Sequence, residues 1–310
     1  MKHLVTGAAG FIGSHLVDQL LDAGDEVIGL DNFLTGRSKN IKHHLDNPRF
    51  SFLQQDVIEK IDCKPDAIWH LACPASPVHY QADPLRTIET CYKGTLNVLH
   101  LAKQTDSKLL IASTSEVYGD PLIHPQTEQY QGNVNPVGPR ACYDEGKRIA
   151  ETLAFTFWTQ QKVQVKIARI FNTYGPRMSP DDGRVVSNFI VQALNRQELT
   201  IYGDGKTTRS FCFVDDTVQG LQFIMQSSGD LVFNVGNPQE INLIHLATLI
   251  AAKTSTESAF IYLDKPQDDP QRRMPQIYKL TQATGWLPSV ELTDGLDQTI
   301  SYFKAELKIA

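Results

Sequence analysis

The sequence predicts a doubly wound α/β fold, a parallel sheet in the Rossmann manner with helices on both faces, joined to a smaller C-terminal unit. Three observations predict it. Over the first 115 residues, short apolar runs alternate with longer helical patterns, the order that βαβ crossovers produce. The first run ends in "GAAGFIG", where Gly7, Gly10 and Gly13 lead straight into a helical pattern, as in dinucleotide-binding units. After Gly175 the composition turns toward Pro, Gly and Asp with shorter apolar runs, so a smaller layer is expected there.

In chain order, "KHLVTG" reads as the first strand and residues Phe11 to Ala23 as the first helix. "EVIGLD", "FSFLQQD" and "AIWHLA" follow as strands, then a helix from Leu85 to Lys103 and the strand "LLIAST". A helix from Ala141 to Gln161 precedes the strand "VQVKIARIF". The loop "YGPRMSPDDGR" is the expected boundary, giving a cofactor unit over 1–175 and a substrate unit mainly over 176–310. "RSFCFVDD" and "LVFNVGN" are apolar enough to return to the sheet. No repeat, heptad or low-complexity tract interrupts this order.

The 310 residues are 41% hydrophobic and 21% charged, with a formal net charge of -6. That balance provides no general attraction to nucleic acid or an anionic membrane. Five cysteines (Cys63, Cys73, Cys91, Cys142, Cys212), odd in number and without a C-x-x-C pair, argue against a disulfide framework and against a zinc site. The first six residues already read as a strand, which leaves no room for a signal peptide. No apolar run nears the roughly 20 residues of a membrane helix. A soluble, cytoplasmic protein is expected.

A glycine triplet alone fits a tight turn as well as a phosphate loop. The decisive context is the strand before it, the helix after it, and Asp31 at the end of the next strand, eighteen residues past Gly13. A carboxylate there hydrogen-bonds ribose hydroxyls and repels a 2′-phosphate, so NAD is expected rather than NADP; Arg37 is the one nearby residue that favours the phosphate. Asp56, ending the third strand, is placed to meet the adenine amino group or to cap a turn. The candidate cofactor set is Gly7, Gly10, Phe11, Ile12, Gly13, Asp31, Asn32, Asp56, Val57 and Leu71, with Tyr143 and Lys147.

In "RACYDEGKR", Tyr143 and Lys147 stand four residues apart, hence on one helical face. An ammonium beside a phenol favours phenolate, drawing its pKa down from about 10 and making Tyr143 a general base. Taken alone, the pair reads first as a solvated surface feature. "STSEVYGD" follows the strand "LLIA" and so lies at the sheet's C-terminal edge, where open α/β folds bind ligands. Thr114 and Ser115 there suit a reacting hydroxyl, or cap a turn.

"GAAGFIG", "STSEVYG", "YDEGK" and "RIFNTYGPR" together resemble the extended short-chain dehydrogenases that act on nucleotide sugars. Within them, "CPASP", "RACYDEGKR", "DDGRVVSNF" and "DDPQRRMP" are similar to the UDP-glucuronate decarboxylases, or UDP-xylose synthases, over nearly the whole chain. The resemblance implies a tightly held NAD, reduced and reoxidised in one turnover, with UDP-glucuronate as substrate. It implies that Tyr143 is the base, that Lys147 tunes it and holds the nicotinamide ribose, and that Thr114 and Ser115 contact the sugar. Glu116 and Arg273 would carry decarboxylation, the guanidinium holding the substrate carboxylate and then the enolate. Asn172, Arg184, Tyr202 and Arg209 would hold the UDP portion, although a buried strand aromatic is the other reading of Tyr202. A homodimer through the helices Leu85 to Lys103 and Ala141 to Gln161 is implied as well.

Two positions depart from that pattern: Cys91 replaces an asparagine near the cofactor, and Phe213 a tyrosine. Related 4,6-dehydratases and 4-epimerases are the nearest rivals. A dehydratase is expected to carry Asp where Ser115 stands, and Arg273 speaks against an epimerase. A catalytically silent NAD-binding regulator is expected to lack Tyr143 or Lys147.

Overall fold

The computed structural model describes residues 1–309. Its first strand, β1 (Lys2–Thr6), is buried after one residue, and the Gly loop delivers the chain to α1 (Phe11–Asp22). β2 (Glu26–Asp31), β3 (Phe50–Gln54) and β4 (Ala67–His70) follow, then the short helices α2 (Pro77–Ala82) and α3 (Pro84–Glu89). A π turn over Thr90–Gly94 joins α3 to α4 (Thr95–Thr105). The continuous helix expected over Leu85 to Lys103 is therefore interrupted by this π turn. The turn seats Gly94 against Val57, where a Cβ would come within 2.7 Å of a Val57 methyl.

β5 (Lys108–Thr114), α5 (Ala141–Gln160) and β6 (Val165–Ile170) complete the cofactor half. The later chain forms β7 (Thr173–Tyr174), α6 (Val185–Leu194), β8 (Leu199–Tyr202), β9 (Thr208–Ser210), β10 (Cys212–Phe213) and α7 (Val214–Gln226). Then come β11 (Val232–Val235), β12 (Glu240–Asn242), α8 (Leu243–Lys253), β13 (Phe260–Leu263), β14 (Arg272–Arg273), α9 (Tyr278–Thr284) and α10 (Leu292–Leu307).

The main sheet has the order β11-β6-β5-β4-β1-β2-β3, parallel throughout. α4 and α5 pack on one face and α1 and α7 on the other. Two covered faces explain why β1, β2, β4 and β5 are nearly continuous apolar runs instead of alternating ones. The strand order reverses between β1 and β4, and this switch point is where a ligand crevice opens beyond the strand ends.

"LVFNVGN" returns to the sheet as β11, with Phe233, Asn234 and Val235 fully buried. "RSFCFVDD" does not. It splits into β9, which pairs with β12 and β14, and β10, which pairs with β7. The neighbouring place on β6 belongs to β11, so this segment builds a separate small layer beside the cleft. Phe213 is 2% exposed and packs edge-on against Tyr174. Among the described residues, no helix is long and apolar enough to cross a membrane.

Candidate active site

A cleft of about 550 Å³ runs from the Gly loop to the small layer, the size of a typical ligand site. At the loop, Gly7 has φ +73°, and a Cβ would lie 2.9 Å from the backbone of Leu71 and Ala72. A Cβ on Gly13 would sit 2.0 Å from the Gly7 carbonyl oxygen. Only glycine lets the loop, the helix and the end of β4 approach this closely, leaving the N-terminus of α1 open to a diphosphate. Gly10, Phe11, Ile12, Asn32, Val57 and Leu71 line the same cleft.

Asp31 is 6% exposed and accepts from Ala9 N (3.0 Å) and Phe33 N (2.8 Å). Asp56 accepts from Asn32 Nδ2 (2.6 Å) and pairs with Arg86. Arg37, the residue that favours a 2′-phosphate, donates instead to Glu306 on α10 at 2.6 Å. Glycine cradle, ribose-side acid and committed arginine together fit NAD.

α5 presents Tyr143 and Lys147 to the cleft, 4% and 6% exposed. Lys147 Nζ donates to Ala112 O at 2.8 Å and lies 5.9 Å from the Tyr143 ring centre. Tyr80 stacks on Tyr143, centroids 4.8 Å apart and planes 3° from parallel. Burial pushes the Tyr143 phenol well above its usual range, the charge of Cys73 adds to this, and Thr114 opposes it. The Lys147 ammonium, expected to favour phenolate here, donates to a backbone carbonyl, and desolvation is the larger influence on the phenol.

Thr114 closes β5, and Ser115 and Glu116 follow in a 3₁₀ turn. Arg273 Nη1 donates to Glu116 Oε1 (2.6 Å) and Ser115 Oγ (2.9 Å), and its Nη2 donates to Gly119 O (2.9 Å). Arg140 Nη2 donates to the other carboxylate oxygen at 2.5 Å. Burial alone would raise the Glu116 pKa, but the two guanidinium groups hold it at about 2. The cleft wall here is Ser115, Glu116 and Arg140, with Arg273, 1% exposed, behind them. In this conformation Arg273 reaches the cleft through Ser115 and Glu116.

Toward the small layer the cleft is lined by Asn172, Arg184, Tyr202 and Arg209. Asn172 donates to Ser210 O (3.3 Å), Arg184 to Asp182 (2.5 and 2.9 Å) and Arg209 to Asp269 (2.9 Å) and Pro270 O (2.8 Å). Tyr202 is 41% exposed, so the buried-aromatic reading of it fails. Cys91 and Phe213 lie off the cleft wall. Sequence reasoning gave no role to Arg140, although its spacing of three from Tyr143 places both on one face. Nothing in the sequence pointed to Tyr80.

The sequence model of the NAD dependent epimerase/dehydratase family matches residues 3–236. The chain is 52% identical over 304 residues to UDP-glucuronic acid decarboxylase 4 of Arabidopsis thaliana, covering 98% of this chain and 69% of the relative. It is 51% identical over 305 residues to UDP-glucuronic acid decarboxylase 1 of Xenopus tropicalis, covering 98% and 72%. Among solved structures, UDP-glucuronic acid 4-epimerase from Bacillus cereus, in complex with UDP-glucuronic acid and NAD, is 28% identical with a TM-score of 0.89, covering 99% of this chain and 100% of that one. The chain belongs to the NAD dependent epimerase/dehydratase family.

Proposed function

We propose that this member of the family converts UDP-glucuronate to UDP-xylose with a resident NAD. The observation that carries the reading is the Glu116 carboxylate, held between Arg273 and Arg140 in the same cleft as Tyr143, Lys147 and the glycine cradle. Two relatives about half identical over nearly the whole chain, both named UDP-glucuronic acid decarboxylases, support it.

Held by the glycine cradle and Asp31, NAD would supply reversible two-electron redox chemistry at C4 of the sugar. Tyr143 removes the C4 hydroxyl proton, with Thr114 and Ser115 orienting that hydroxyl and Lys147 close by. The resulting ketone is β to the C6 carboxylate, so CO2 departs and its bonding electrons pass into an enolate. Protonation at C5 and reduction at C4 give UDP-xylose. Arg140 is the guanidinium on the cleft wall suited to the carboxylate. Arg273 positions Ser115 and Glu116 behind it and stabilises negative charge that develops there. Asn172, Arg184, Tyr202 and Arg209 are assigned to the UDP portion, and Gly7, Gly10, Phe11, Ile12, Gly13, Asp31, Asn32, Asp56, Val57 and Leu71 to NAD.

The reading nearest to this one is 4-epimerisation of the same sugar acid, the activity named for the Bacillus cereus enzyme. Product analysis separates the two. Incubation with UDP-glucuronate is expected to release CO2 and UDP-xylose; the C4 epimer without CO2 would assign the protein to the epimerases.

The same reading places the NAD unit at 1–175, with β11 rejoining its sheet, and the nucleotide-sugar unit mainly at 176–310. It also makes the protein a homodimer through α3, α4 and α5. Support for the dimer is the exposure of Leu85, Ile88 and Tyr92 on and after α3 and of Ile149, Phe155 and Trp158 on α5, which packs against α3. Light scattering that returns a monomer mass would overturn it.

A further inference from the structure

Cys91 is buried on the π turn between α3 and α4, and its thiol is not alone. Its Sγ lies 3.4 Å from that of Cys73. Cys73 follows β4 and lines the cleft, whereas Cys91 is 2% exposed. Gly146 of α5 makes the space: a Cβ there would come within 3.0 Å of Cys91 Sγ. One reachable sulfur and one sheltered sulfur thus face each other beneath the helix that carries Tyr143 and Lys147.

We propose that Cys73 and Cys91 form a peroxide-oxidisable dithiol, closing to a reversible disulfide beside the nicotinamide end of the cleft. Hydroperoxides are the oxidant class. The Cys73 thiolate attacks one peroxide oxygen and the O–O bond breaks, giving Cys73 sulfenic acid and hydroxide. The Cys91 sulfur then displaces the sulfenic oxygen, forming the S–S bond; its thiol proton and one from solvent leave with the two oxygens, so two thiols and one peroxide yield one disulfide and two waters. The sulfurs need approach by only about 1.4 Å, from contact distance to the 2.05 Å of a disulfide.

The local electrostatics favour this order of events. The hydrogen bond between the two sulfurs is the main influence that pulls the Cys73 pKa down to about 7, against burial, and Lys147 adds to it. The same hydrogen bond, together with burial, raises Cys91. The thiolate is the nucleophile, and accessible low-pKa cysteines beside a resolving thiol are those that oxidise reversibly. The new bond ties the loop after β4 to the π turn and withdraws the Cys73 sulfur from Lys147.

The pairing rests on thiol geometry and not on the substrate assignment, so its test does not need turnover. Purified protein with its resident cofactor is exposed to hydrogen peroxide, alkylated, digested and mapped by mass spectrometry. A Cys73–Cys91 linked peptide is expected before modification of Cys63, Cys142 or Cys212, and dithiothreitol should release it. In C91N no link forms, and Cys73 advances to sulfinic acid that dithiothreitol does not reverse; in C73S, Cys91 stays reduced. Sulfinic acid at Cys73 of the parent with Cys91 intact, a Cys73–Cys142 link as first product, or no reaction at Cys73 would each overturn the proposal. The parent map stands even if a variant fails to fold.

Discussion

Arg273 Nη1 lies 2.6 Å from Glu116 Oε1, and the arginine of this pair is 1% exposed while the acid faces the cleft. A buried guanidinium behind a cleft-lining carboxylate does two things at once. It keeps Glu116 ionised in a desolvated place, and it holds Ser115 by a second hydrogen bond. Arg140, on the other carboxylate oxygen, lines the cleft itself. The division explains how one cluster serves both stability and chemistry.

Arg273→Ala removes one partner of a buried ion pair and leaves Gly119 O unpaired, which costs about 3–5 kcal/mol of stability. Arg273→Lys keeps the charge and loses the fork. The lysine variant is expected to fold, to bind UDP nearly as the parent does, and to release CO2 about 10²- to 10³-fold more slowly. Calorimetry with UDP and a CO2 assay on one preparation check this; near-normal decarboxylation would deny Arg273 its role.

Tyr143→Phe deletes one hydroxyl and keeps the ring stacked on Tyr80. NAD and UDP binding should therefore survive, while C4 oxidation falls by about 10²- to 10⁴-fold. Single-turnover absorbance of reduced cofactor measures the step directly. Activity within a few-fold of the parent would mean that a different group takes the proton.

The cofactor half was largely legible because its signals are local. Strand, glycine loop, helix and Asp31 follow one another along the chain, and the Tyr143–Lys147 spacing is a property of one helix. What stayed hidden depends on distant pairing. "RSFCFVDD" is apolar enough for the main sheet, but whether it joins depends on β11 occupying the edge of β6. Likewise Tyr80, the committed state of Arg37 and the withdrawal of Arg273 from the cleft wall arise from side chains far apart in sequence. The π turn likewise depends on a distant contact, Gly94 seated against Val57.

Asp144 follows Tyr143 on α5, is 5% exposed, and has a buried carboxylate oxygen without a partner. Burial, and then the charge of Glu116, push its pKa up to about 7. The folded protein thus holds this proton to higher pH than the unfolded chain, where Asp titrates near 3.9. The stability gained is fully present below about pH 4 and is lost as pH rises through about 7. Asp144→Asn, which does not titrate, should gain on the parent between those limits. Urea unfolding at pH 5 and pH 8 checks the sign, and a difference independent of pH would contradict the assigned environment. Glu116 does not confuse the comparison, since its contribution is lost only as pH falls from about 4.3 through about 2.

The redox cycle proposed for UDP-glucuronate closes on itself, so the protein as purified should carry NAD and need little or none added. Gly13 is the residue on which retention turns. A methyl at this position would sit 2.0 Å from Gly7 O, a backbone atom that cannot swing aside, so Gly13→Ala must push α1 away from the loop that receives the diphosphate. The variant is expected to purify without cofactor and to recover little activity on added NAD, whereas the parent should yield NAD when denatured and its supernatant assayed. Arg37 is held by Glu306 and Asp31 occupies the ribose side, so the cofactor released should lack a 2′-phosphate. NADP in the supernatant, or NADH accumulating in step with product, would rule out the closed cycle; NAD retained by Gly13→Ala would show that the cradle tolerates a wider loop than its backbone contacts imply.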